Sequence, residues 1–274
     1  LITFVGKTKW MNARLNAFMS VILAFAVGSW LWSVCSLVTL QALDLNPSFV
    51  WGDLDISIEN ERNWTKSGAI FYFMATLLGL PILAGALTLA TRDLRSTNHP
   101  LRSVIFSIRL FSFTWPGAFL ASAFNKTGVV ADFLVYLGVP IEFSLVFFLI
   151  GFSLSLIPVL FLGPEVLQFS NSASLLQTHG GKSKFAFWHL AFPALILAVM
   201  AYFLGRRNTD HLFFWWASLT ALGSILTSVA LSFGFVGSAP SVYKNSTFYK
   251  IDYRLLIFGV VAFGSFILIF FQRI

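Results

Sequence analysis

Residues 129–162 read VVADFLVYLGVPIEFSLVFFLIGFSLSLIPVLFL. A helix needs about 20 apolar residues to cross a bilayer, so this run is too long for one straight span. Gly138 and Pro140 interrupt it early. Proline has no backbone N–H to donate and its ring clashes with the preceding turn. The break predicts a short interfacial or re-entrant piece over Val129 to Val139, followed by a span from Ile141 to Leu162. Whether residues 129–139 cross the membrane or turn back fixes the sidedness of every later loop.

Working outward, further runs of spanning length occur at 17–43, 68–90 and 104–124 before this stretch, and at 185–204, 212–236 and 254–271 after it. The expectation is an all-α, polytopic transmembrane helix bundle forming a single integral membrane domain over residues 1–274. About seven spans are expected, with six to eight allowed by the ambiguity at 129–139. Helices are expected because an open sheet edge is not tolerated in lipid, and the two-residue alternation of barrel strands is absent from these runs. Lys7, Lys9 and Arg14 precede the first run as they would in a signal peptide. That run is longer than the apolar core of such a peptide, about 7–15 residues, which predicts a retained span.

Composition agrees. Only 11% of the residues are charged and 57% are hydrophobic, against about a quarter charged in an ordinary globular domain. A soluble fold could not cover its surface with so few charges. The net charge of +7 does not point to nucleic acid, because the basic residues fall singly or in pairs between apolar runs, as loop charges and snorkelling anchors do. The expected partners are the lipid bilayer and other membrane subunits, with no nucleic acid. With the N-terminus inside, Lys7, Lys9, Arg14, Arg92, Arg95, Arg102, Lys182, Lys184, Lys244, Lys250 and Arg254 lie inside, and Arg62, Lys66, Lys126, Arg206, Arg207 and Arg273 outside. The excess favours an N-terminus on the cytoplasmic or matrix side; the pair Arg206 and Arg207 dissents.

The one sizeable loop, Asp44 to Ser67, contains Asp53-Leu54-Asp55-Ile56-Ser57-Ile58-Glu59. Its alternation suits a half-buried strand or a surface-lying segment. Its carboxylates lack the spacing and the glycine of an EF-hand loop. Cys35 is the sole cysteine, so it forms no intrachain disulfide, and no Cys/His spacing suggests zinc. Neither a metal nor a cofactor is expected. No GxSxG, HExxH, P-loop or CxxC motif is present, which removes most of the case for hydrolysis by serine or zinc and for nucleotide-driven transport within this chain. Ala24 and Gly28, Ala194 and Ala198, and Ala217 and Ala221 each share a helix face and predict close packing.

Charges inside spans are the best functional leads, since each is costly in lipid unless paired or hydrated. Arg109 lies within the third run, with Asp132 and Glu142 flanking the Gly138/Pro140 break as candidate partners. His189 falls within the fifth run, before Pro193. An interrupted helix with an acid beside it is a common form of ion or substrate site. Arg109, Asp132, Glu142 and His189 are therefore the candidate substrate or ion pathway. Two functional readings follow. One is translocation of an ion or small solute, alone or as a membrane subunit of a larger complex. The alternative is an intramembrane or interfacial enzyme acting on lipid-linked substrate through Asp93, His99, Glu165 and His179. A purely structural subunit is the baseline for both.

Ser107-Ile108-Arg109-Leu110-Phe111 resembles, over those residues, the arginine-bearing helix of the proton-channel subunit a of rotary ATP synthases, with Glu142 in the place of its later acid. That family continues with an Asn and a small-Gly-His run where this chain has Ser112-Phe113-Thr114-Trp115-Pro116-Gly117, and the chain beyond Leu162 has no counterpart there. Membership of the family does not follow.

Overall fold

The computed structural model describes residues 2–44, 47–50, 53–56, 65–91, 101–125, 129–170, 176–205, 212–234 and 252–271. The helices are α1 (Ile2–Ala42), α2 (Lys66–Ala90), α3 (Leu101–Ala121), α4 (Val129–Tyr136), α5 (Ser144–Leu162), α6 (His179–Ala186), α7 (Phe192–Gly205), α8 (Leu212–Ser232) and α9 (Tyr253–Phe271). A π-helical turn, Phe187–Ala191, joins α6 to α7. The molecule is an all-α multi-pass membrane bundle. Six described helices are long and apolar enough to cross a bilayer. The 19 residues of α9 supply a seventh, about 28 Å long at 1.5 Å per residue. Two helices begin earlier than the corresponding apolar runs: α1 at Ile2 rather than Ala17, and α6 at His179 rather than Phe185.

The stretch that decides the topology turns back. At 8 residues, α4 is about 12 Å long, too short to cross. It stops at Gly138, whose φ of 73° is the left-handed conformation that glycine adopts without strain. A 3-10 turn at Ile141–Phe143 then leads into α5. The packing of α5 on α3 confirms the reversal. Gly117 of α3 meets Gly151 and Ser155 of α5, while Gly151 meets Gly117, Leu120 and Ala121. Further along, Ser155 Oγ donates to the Thr114 carbonyl at 3.2 Å and Arg109 bonds Glu165. Rising numbers on one helix meet falling numbers on the other, so α3 and α5 are antiparallel neighbours joined at one end of the bundle.

The remaining pairs obey the same alternation. Helix α1 runs parallel to α3, with Ser20 against Ser103, Phe25 against Phe111 and Trp32 against Trp115. It runs antiparallel to α2, where Cys35 meets Gly79 and Leu43 meets Gly68. It is parallel to α9, as Asn16 accepts from the Asp252 backbone and Met19 packs on Gly259. Helices α7 and α8 are antiparallel, since Tyr202 meets Phe214 and His179, at the start of α6, meets Gly234. Because α9 runs parallel to α1, its end lies at the opposite face from the N-terminus.

Polarity explains which helix sits in the middle. Lipid tails are as apolar as leucine, so membrane helices associate through close packing and interhelical hydrogen bonds. Of the six spans, α5 is the most apolar and the least enclosed, whereas α3 is the least apolar and the most enclosed. The side of α5 bearing Leu145, Leu149, Ile150, Leu154, Ile157 and Phe161 is exposed, which suits a lipid-facing surface. Buried hydroxyls and indoles tie α3 to its neighbours. Trp115 Nε1 donates to the Thr76 carbonyl of α2 at 2.9 Å, and Trp216 Nε1 of α8 donates to the Phe111 carbonyl at 2.8 Å. Thr114 and Thr220 share a hydrogen bond at 3.0 Å. The expected small-residue pairs are all buried, and Gly28 lies against the Trp216 ring.

The long loop holds a two-stranded antiparallel hairpin, β1 (Pro47–Val50) and β2 (Asp53–Ile56). The alternating segment thus begins as a strand; Ser57 to Glu59 lie outside the described residues.

Candidate functional site: a buried arginine–glutamate pair

Helix α3 carries Arg109 about two turns inward from its start at Leu101, and 92% of the residue is buried. Its partner comes from the 3-10 segment Gly163–Phe169 that follows α5. Arg109 Nη1 donates to Glu165 Oε2 at 3.1 Å, with the arginine side chain 10% and the glutamate 34% exposed. Local sequence sets up the meeting. Gly163 and Pro164 end the α-helix, since Pro lacks the donor that would continue it. The tighter turn then carries the chain antiparallel along α3. About two turns outward along α3, Arg102 donates to Gln168, the two forming a close contact, and its guanidinium lies over Phe169 at 5.7 Å. Phe106 packs edge-on against Phe169. Arg109 Nε is buried without an acceptor among the described residues.

A seam of buried hydroxyls begins near this pair and follows the α3–α5–α8 interface. It comprises Ser112, Thr114, Ser155, Thr220, Ser224, Thr227 and Ser228. Thr227 Oγ1 donates to the Val159 carbonyl at 3.1 Å. On α8 the hydroxyls recur at helical spacing, which places them on one face. Sequence reasoning passed over this row, although its spacing from Thr220 to Ser224 to Ser228 was visible.

The sequence-derived candidates do not form one cluster. Glu142 is exposed in the turn before α5. The 19 residues of α5 separate it from Glu165, about 28 Å along the helix axis. Asp132 lies on α4 at that same far end. Glu142 is not the partner of Arg109; Glu165, read from sequence as an inner-face group, is. The antiparallel α3–α5 hairpin brings residues 109 and 165 to one depth, a signal available only once 129–139 is known to turn back. His189 sits in the π-helical turn. Its ring stacks on Phe185 at 3.9 Å, lies 5.8 Å from Trp10, and its Nδ1 hydrogen-bonds the Phe185 carbonyl at 2.9 Å. Pro193 follows, and because it offers no N–H to the His189 carbonyl, the wider turn relieves the ladder there.

The inner-face groups of the enzyme reading are not gathered either. His179 is exposed beside Gly234, whereas His189 is buried against α1. Asp93 and His99 lie outside the described residues. Among the described residues no group of three His, Cys, Asp or Glu side chains is placed to hold a metal ion.

Charge divides by face. The N-terminal face and the adjoining part of the bundle carry Lys7, Lys9, Arg14, Arg102, Arg109, Lys182, Lys184 and Arg254 against Glu165 and Asp252, among the described residues. The opposite face carries Lys66 against Asp44, Asp53, Asp55, Asp132 and Glu142.

No protein-family model matches the chain, and neither a curated protein nor a solved structure matches it.

Proposed function

We propose that this membrane protein translocates an ion or small solute, or forms the membrane subunit of a larger complex that does so, with its N-terminus on the cytoplasmic or matrix side. The observation that carries the reading is the Arg109–Glu165 pair. A charge placed within a span is costly and is retained where it faces a bundle interior or a polar path, and this one lies on the most enclosed helix. The adjoining hydroxyl seam supplies polar groups leading away from it. Asp132 and Glu142 stand at the other mouth, and His189 flanks the inner half. The excess of basic residues on the N-terminal face supports the orientation.

The test is flux in vesicles reconstituted with purified protein, read with dyes for protons and for a panel of small ions. Arg109→Ala and Glu142→Gln should each lower flux at least about tenfold, about 1.4 kcal/mol in barrier, with the helical content unchanged. Wild-type flux in both variants removes the pathway assignment.

A further inference from the structure

We infer that Arg14, held against Trp188 and Trp10 at the N-terminal face, binds the phosphate of an anionic phospholipid headgroup. Trp10 and Arg14 are one turn apart on α1, and the π-helical turn presents Trp188 to them. The guanidinium carbon lies 4.1 Å from the Trp188 ring centroid and 5.9 Å from that of Trp10. Cation–π stacking occupies the faces of a guanidinium and leaves its N–H groups, which lie in the plane, seeking acceptors. Arg14 Nε is buried and has no acceptor among the described residues, and no carboxylate among them pairs with the group. The sealed Nε is out of a ligand's reach, but the terminal Nη groups of this half-buried side chain are neither sealed nor paired among the described residues, and a phosphate, with several acceptor oxygens in a shape that matches the guanidinium fork, suits them.

The surroundings favour a lipid over a water-borne anion. Trp10 and Trp188 are the amphipathic residues that settle at the headgroup level. Met11, beside Trp10 on α1, is 65% exposed. Trp188 contacts Phe192 at 4.9 Å, and from Phe192 an exposed apolar row runs along α7 through Leu195 and Val199. That row offers a track for an acyl chain leading away from Arg14. Lys184 is exposed one turn before Trp188, where it attracts an anionic headgroup and repels the choline of a zwitterionic one.

The test is native mass spectrometry of purified protein equilibrated in detergent with equal amounts of phosphatidylglycerol and phosphatidylcholine of identical chains. The expected result is retention of one phosphatidylglycerol with about tenfold preference. Arg14→Gln should abolish the preference, Trp188→Leu should weaken it, and Arg14→Lys should keep part of it, since the charge remains without the fork. Arg254→Gln, an exposed charge on the same face, should leave it intact. Equal retention in wild type and Arg14→Gln overturns the site. So does an equal loss in Arg254→Gln, which would mean diffuse surface attraction. Displacement of the lipid by millimolar inorganic phosphate would overturn its assignment to a lipid.

Discussion

Valine at Gly117 or Gly151 is expected to unseat α3 from α5 and leave the protein aggregated rather than monodisperse in detergent. A Cβ on Gly117 would collide with the Gly151 carbonyl and the backbone of Ser155. One on Gly151 would collide with the Gly117 carbonyl and the Ala121 backbone. In both cases the obstacle is main chain, so no rotamer change can relieve it. The helices would have to separate, breaking the bond from Ser155 Oγ to the Thr114 carbonyl and moving Glu165 away from Arg109. Overpacking of this kind costs about 3 kcal/mol or more, and it falls on the most enclosed helix of the bundle. Gly85→Val is the matched control, because nothing lies within 4 Å of a Cβ there. Size-exclusion profiles and thermal scans read the difference. Equal behaviour of all three variants would mean that α3 and α5 do not approach as described.

The second large effect separates stability from function at the ion pair. Arg109→Met leaves Glu165 without its partner, and Glu165→Leu leaves a buried guanidinium uncompensated. Each single change should cost about 2–3 kcal/mol, below the range for fully buried pairs because Glu165 is one-third exposed. The double variant should recover most of that loss, since replacing both charges with apolar groups of similar size is often close to neutral. Flux should not return with it. A double variant that is both stable and fully active would make the pair a packing feature. One destabilised by about the sum of the two single losses would show that the two residues act independently.

Much of the fold was legible in the sequence because lipid imposes one strong rule: backbone groups in the hydrocarbon must be satisfied within a helix, and this takes about 20 apolar residues. The seven apolar runs were read from that rule, and the break at Gly138 and Pro140 from proline's missing donor. The reading of Asp53 onward as strand-like rests on a separate signal, alternation with a period of two. The arrangement of the helices was less legible. Apolar character measures suitability for the membrane, and α5, which has most of it, faces outward, while α3, with its serines and threonines, lies at the centre. Arg109 stood out as a charge within a span. Its partner did not, because Glu165 follows a Gly-Pro pair at a helix end, where an acid ordinarily meets water. Only the antiparallel hairpin, with its close glycine contact, brings those residues together. The stacking of Arg14 on Trp188 was equally hidden, since it depends on a π-helical turn that residue spacing does not announce.

The topology is tested most directly by cysteine accessibility in sealed vesicles. Cys35 is the sole native cysteine, so single cysteines can be placed in a Cys35→Ser background at Lys66, Glu142 and Lys184, all exposed. With residues 129–139 turning back, Lys66→Cys and Glu142→Cys react with an impermeant maleimide from the same side, and Lys184→Cys reacts only from the other. Labelling of Lys66→Cys and Glu142→Cys from opposite sides would contradict the account, because it would require residues 129–139 to cross the membrane.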